Sequence, residues 1–294
     1  MFIRLLLLLL VNAALSAYEL SVVAMFRDES RYLKEWVDYH RLVGVEHFWL
    51  YNDHSKDNWQ EVLQDYIDAG IVDAINWDEF GDDTYGYMRQ PAIYKDGITR
   101  SIGNTKWLAI IDIDEFIVPM KDMTIIDCLN NNYPKETKAI YINWRNFGTS
   151  GITVPEGGSI LYHLTSCSLP SHPKNVVGKC IVRPECINLE TLWTPHHFDL
   201  FGGTPYYDGS AKLLPKNKEG TDFKYDQKHS AKFLRVNHYA LRDEYFYWNF
   251  RYPRCLEICS QVLSQEQYHL YNLVKDIAIQ RFLEKLYPNN ANIQ

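Results

Sequence analysis

The sequence predicts an α/β fold, a Rossmann-like domain with a mostly parallel central sheet and a C-terminal helical extension. Three observations carry this. Short apolar runs rich in β-branched residues alternate with stretches of helical periodicity between residues 20 and 119. The first two helical stretches stop on a glycine, Gly44 and Gly70. Polar, acid-rich segments come after the apolar runs, as loops at one rim of a parallel sheet do.

Leu20 to Phe26 (LSVVAMF) reads as a buried strand. Asp28 or Ser30 is placed to cap the next helix, whose apolar stripe is Leu33, Trp36, Val37, His40 and Val43. His47 to Tyr51 is a second strand, and Asn58 to Ala69 a second helix with Val62, Leu63, Tyr66 and Ile67 inward. Ile71 to Ile75 is a third strand, leading into Asn76-Trp77-Asp78-Glu79. Tyr85 to Arg100 predicts a helix carrying Gln90 and Tyr94, and Trp107 to Ile111 the fourth strand. After Ser260, Leu263, Tyr268, Leu273, Ile277 and Phe282 recur at roughly helical spacing, which predicts one or two packed helices.

The fourth strand runs into Asp112-Ile113-Asp114-Glu115. Residues two apart on a strand share a face, so Asp112 and Asp114 are predicted to meet at one site, with Glu115 turned away as support. Carboxylates held that close need a cation, donors or water, and Mg²⁺ or Mn²⁺ would leave coordination places for diphosphate oxygens. Asp-x-Asp also occurs at ordinary solvated strand ends. Arg27-Asp28-Glu29, Asn52-Asp53 and Trp77-Asp78-Glu79 end the other strands, on the same side if the sheet is parallel. The pattern reads as a nucleotide-type site with a metal. GxGxxG and Walker-loop fingerprints are absent, which disfavours dinucleotide enzymes and P-loop NTPases. A bound diphosphate would then rely on the metal and on Arg or Lys.

The formal charge of −7 and the lack of a basic run argue against a nucleic-acid binder. The 21 Tyr and 8 Trp exceed what a core requires, and aromatic faces suit sugar rings. Residues 1–17, with Arg4, the apolar run Leu5 to Val11 and small residues to Ala17, read as a signal peptide or an uncleaved signal anchor. This predicts a secreted or membrane-tethered protein, with a main domain over 18–250 and the extension over 251–294. An even set of six cysteines is compatible with disulfides, and its spacing matches no zinc pattern.

Several segments taken together resemble glycosyltransferase family 92 and related family-2-like transferases. They are FRDESRYLKEWVDYHRLVGVEHFWLYNDHSKDN at 26–58, Gln90, WLAIIDIDEFIVP at 107–119, INWRNFGTSG at 142–151, KNVVGKCIVRPECI at 174–187 and VNHYALRDEYF at 236–246. The resemblance implies a GT-A fold, a UDP-sugar donor such as UDP-galactose, Mn²⁺ at the Asp-x-Asp pair and inverting transfer to a glycan hydroxyl. On that basis Arg27, Asp28, Glu29, Asp53, Gln90, Asp112, Trp144 and Arg145 are candidate donor-binding residues, with Trp144 a possible sugar platform. Asp112, Asp114 and His238 are candidate metal ligands, His238 being preferred over His196 and His197. Asp199, Asp243 and Glu244 are weak candidates for the general base that inversion needs. The segment Leu241-Arg242-Asp243-Glu244 departs from the family pattern and bears on the acceptor side. A non-catalytic carbohydrate-binding protein and a metal-dependent phosphoesterase are the competing classes; the latter would add a second set of His and Asp ligands, which is not evident.

Overall fold

The computed structural model describes residues 17–78, 86–192, 194–215, 229–259 and 263–288, the side chains of 86–88 and 257–259 excepted. Residues 1–16 of the leader, Glu79 and Tyr85 therefore lie outside the described residues. The first half keeps the predicted order: β1 (Tyr18–Phe26), α1 (Ser30–Leu42), β2 (His47–Asn52), α2 (Trp59–Asp68), β3 (Val72–Asn76), α3 (Gly86–Ser101) and β4 (Thr105–Ile110). These strands pair in parallel in the order β3-β2-β1-β4. Helices α1 and α2 bury their apolar stripes against one face through Leu33, Trp36, Val37 and Leu63. Helix α3 covers the other with Ile93, Tyr94 and Ile98. It comes so near β1 that a Cβ on Gly97 would lie 2.6 Å from a Val23 methyl carbon, so the close approach requires glycine.

Neither Asp28 nor Ser30 caps α1. Glu29 is the N-cap residue without a side-chain bond, and Asp57 accepts from the Ser30 N–H instead (2.7 Å). Asp28 adopts φ +54, and its carboxylate accepts from the Lys56 N–H (2.7 Å). The loop after β1 is thus fastened to the loop after β2.

The second half comprises β5 (Glu115–Pro119), α4 (Ile125–Asn132), β6 (Ala139–Asn146), α5 (Ile160–His163), β7 (Ser166–Cys167), β8 (Gly178–Val182), β9 (Tyr207–Asp208) and β10 (Leu234–His238). It extends the sheet as β4-β8-β6-β10-β5, with β9 beside β6. Among these strands β8 and β5 run against the rest, so the sheet is mostly parallel. A Cβ on Gly178 would collide with the Ile142 carbonyl, so glycine is required where β8 enters the sheet against β6.

The tail differs from the helices predicted for it. After a helix over 244–259 comes a single capped turn (Gln265–His269), then β11 (Val274–Lys275) pairs with β7, and short turns follow to the last described residue, Pro288. The apolar spacing marks side chains such as Phe282 that enter the core one at a time, and polar bonds interrupt any longer helix. Asp276 is gripped by both guanidinium nitrogens of Arg235 (2.7 Å each), which docks the tail on β10. Five of the cysteines, Cys128, Cys167, Cys180, Cys186 and Cys255, are in no disulfide. No helix among the described residues is long and apolar enough to cross a membrane.

Candidate active site

Strands β1, β2, β4, β6 and β10 all point their C-terminal ends to one side, and the antiparallel β8 and β5 begin there. Topology alone therefore gathers residues far apart in sequence. A cavity of about 270 Å³ opens at this rim, lined by Met25, Phe26, Arg27, Glu29, Gln90, Asp112, Ile113, Asp114, Arg251, Arg254 and Cys255.

Asp112 and Asp114 sit in the tight turn between β4 and β5. The Trp36 indole donates to the backbone carbonyls of Asp112 (3.2 Å) and Glu115 (2.8 Å), and the Tyr239 N–H donates to that of Asp114 (2.8 Å). The turn is thus held both by α1 and by the residue that follows β10. Asp112 also accepts from Tyr94 (3.0 Å) and from the buried ammonium of Lys179 (2.8 Å). Burial pushes the Asp112 carboxyl up, but the Lys179 charge outweighs it and holds the group below the usual carboxylate range. Glu115 is buried beside them, accepts from the Asp112 N–H (2.9 Å), and is pushed well up by desolvation despite Lys179 at 3.5 Å. Asp112 keeps the charge, and Glu115 supports the turn.

His238, at the end of β10, stacks on Trp144 with ring centroids 4.1 Å apart. Its Nδ1 lies 2.9 Å from the Asn146 side-chain oxygen, which can only accept, so the proton belongs on Nδ1 and Nε2 keeps a lone pair. That Nε2 faces Asp114 Oδ2 at 3.7 Å, too long for a hydrogen bond. Burial lowers the His238 pKa to about 4, so the ring is neutral near pH 7. Glu29, at the opposite wall, is bound by Arg242 (2.8 Å). Desolvation and the nearby Asp114 charge overcome that attraction and raise its pKa to about 7.

The other predicted residues divide. Arg27 and Gln90 line the cavity. Asp53 does not: it is buried and held by Arg89 (2.5 Å), with Arg27 at 4.0 Å, so it positions Arg27. Asp28 is the loop clasp described above. Arg145 alternates to the face away from Trp144, where it donates to Cys167 Sγ (3.2 Å) and lies 3.9 Å from Asp276. Asp243 is buried, caps the Phe246 N–H (3.0 Å) and pairs with Arg31 (3.0 Å). Glu244 takes bonds from Thr149 (3.4 Å) and Tyr268 (3.2 Å). Asp199, like these two, does not line the cavity. His196 bonds the Gly178 carbonyl through Nδ1 (3.0 Å) and is near enough to Asp112 for the two charges to interact.

Sequence reasoning passed over Lys179, Arg242, Arg251 and Arg254. Lys179 carried a signal: a lysine inside the apolar run GKCIV is costly to bury without a buried anion to meet it.

Known proteins resemble this chain over most of its length. It is 28% identical to a glycosyltransferase family 92 protein of Ricinus communis over 204 residues, 68% of this chain and 35% of that one. It is 24% identical to the β-1,4-galactosyltransferase galt-1 of Caenorhabditis elegans over 215 residues, 72% of this chain and 44% of that one. The chain thus spans less than half the length of these relatives. Among solved structures, residues 1–349 of Staphylococcus aureus TarS superpose with a TM-score of 0.41 at 12% identity, over 93% of this chain and 73% of that one. The family model of glycosyltransferase family 92 matches residues 18–252, and the chain belongs to that family.

Proposed function

We propose that the protein is a metal-dependent glycosyltransferase of GT-A type, moving a hexose from a UDP-sugar to a glycan hydroxyl with inversion. One observation carries the reading: in a family 92 chain, the cavity at the strand ends brings Asp112, Asp114 and Gln90 together with arginines able to meet a diphosphate. The name of the C. elegans relative favours galactose as the sugar.

The residues fit a divalent ion. Asp114 Oδ2 and the lone pair of His238 Nε2 face each other at 3.7 Å, a separation that two ligands of one ion at about 2.1 Å each would span. The Asn146 bond fixes the ring in the ligating tautomer, the supporting contact common to metal-bound histidines. Among the described residues no three His, Cys, Asp or Glu close around one point, so the donor's own oxygens would complete the shell, and Asp112, bonded to Lys179 and Tyr94, would add its charge to the site. When bound, Mn²⁺ or Mg²⁺ would neutralise charge developing on the departing diphosphate. Lys179 keeps Asp112 ionised for this task, and Trp36 holds the turn so that both aspartates arrive together. With a leader at residues 1–17, transfer would take place in a secretory compartment or outside the cell.

The test is calorimetric titration of UDP into the protein lacking residues 1–17, with and without Mn²⁺. Expected is Mn²⁺-dependent binding that is lost in Asp114→Ala and weakened in His238→Ala, with turnover of UDP-galactose in a subsequent donor screen. Absence of UDP binding in both conditions would overturn the donor assignment. Binding and turnover untouched by Asp114→Ala would overturn the metal site.

A further inference from the structure

The geometry points to Arg251 and Arg254 as a diphosphate clamp, the counterpart in this chain of a glycine-rich phosphate cradle. The inference rests on the UDP-sugar reading above and names the side chains that would carry the charge of the donor's diphosphate.

The charges around the cavity can be paired off. Lys179 compensates Asp112, Arg242 holds Glu29, and Arg27 lies against Asp53. Arg251 and Arg254 are left, and neither makes a salt bridge with any described residue. Both face the cavity. Arg251 is near enough to Glu29 and His238 for its charge to lower the pKa of each. Two guanidinium groups without a carboxylate partner among the described residues, beside an acidic pair, form a place where a dianion gains on one side and a metal gains on the other.

Local backbone explains how they come to face inward. Residues Tyr247–Arg251 form one π-helical turn, which passes directly into the α-helix Tyr252–Cys259. A π turn inserts an extra residue and so rotates the helix beyond it about its axis. Across that junction, Arg251, the last residue of the π turn, shares the cavity face with Arg254 and Cys255 of the helix, three and four residues on. Tyr245, Trp248, Phe250 and Leu256 are left exposed. The two arginines stand on either side of residue 252, where the family match ends. Guanidinium forks bind phosphate oxygens in pairs and stay charged at any working pH, which suits a site that lacks a cradle of backbone N–H groups.

The experiment compares uridine, UMP and UDP binding to the protein in EDTA and in Mn²⁺, for wild type, Arg251→Gln, Arg254→Gln, the double variant and the double Arg→Lys variant. Expected is a loss of UDP affinity of about tenfold per arginine, uridine affinity within about twofold of wild type, and partial recovery with lysine. Retained uridine binding also shows that the variants are folded. A second readout is alkylation of the Cys255 thiol, mapped by peptide mass: UDP should protect it in wild type and not in the double Gln variant. Wild-type binding of UDP with no loss in the double variant would overturn the clamp and leave the donor assignment standing. Failure of wild type to bind UDP at all would overturn both.

Discussion

The two halves of the sheet are built by different rules. Before the acidic turn, strands pair in parallel with neighbours brought back by α1, α2 and α3, and apolar packing supplies most of the cohesion. After it, β5 pairs with β10, and β6 pairs with β8, β9 and β10, across connections with little regular structure. These long closures are secured by buried polar links. Arg235 holds Asp276 of the tail, and Glu35 of α1 accepts from Ser159 (2.6 Å), the Ile160 N–H (2.9 Å) and Tyr287 (2.7 Å). The contrast teaches that apolar periodicity suffices to order the first half, while the second adds particular buried polar links to the same apolar core. The site sits where the two systems meet.

The sharpest way to break that comparison is Lys179→Met. It leaves the buried Glu115 and the one-third exposed Asp112 without their cation, and should cost about 3–4 kcal/mol in chemical denaturation. Next is Asp276→Ala, which strands Arg235 and should cost about 3 kcal/mol. Its loss should appear first as proteolytic release of the tail, with the parallel half still protected; simultaneous loss of both would show that the halves do not differ. Glu29 supplies a pH test. Its folded pKa of about 7 lies above the ordinary 4.5, so its stabilising contribution is whole below pH 4.5 and is lost as pH rises through 7. Wild type should therefore lose about 2 kcal/mol relative to Glu29→Gln over that window, a figure reduced for the side chain's one-fifth exposure. Equal slopes in thermal melts would refute the raised pKa. The smallest effect is expected of Ser264→Ala, which removes a capping box with Gln267 in the tail and should cost about 1 kcal/mol or less.

Legibility divides along the same line. Strands and helices up to β4 could be read because their periodicity is local, and Asp112 and Asp114 could be read because both belong to one short motif. Asp53 and Arg145 could not be placed. An acidic residue after a strand has the same spelling whether it meets a ligand or, like Asp53, a buried arginine from α3. Arg145 was drawn toward the site by its neighbour Trp144, although alternation along β6 sends the two to opposite faces. Lys179 and Arg242 reach the rim through contacts over long sequence separations, which no local pattern encodes, and Arg251 and Arg254 depend on where their helix docks. The tail misled for a related reason: its apolar residues obey a helical period, but β11 and the Asp276 grip impose short pieces instead.

The acidic turn also has a consequence for how the molecule is checked as it forms. Asp112 inherits its position from β4 and so from the first half; Asp114 is tied through Tyr239 to β10 and so to the second. A slip of one residue between β5 and β10 would turn every side chain of β5 over. It would also part the two aspartates from His238. If the proposed donor binds at this turn, binding would also report chain register, since only molecules whose two halves have joined in step would hold it and be stabilised by it.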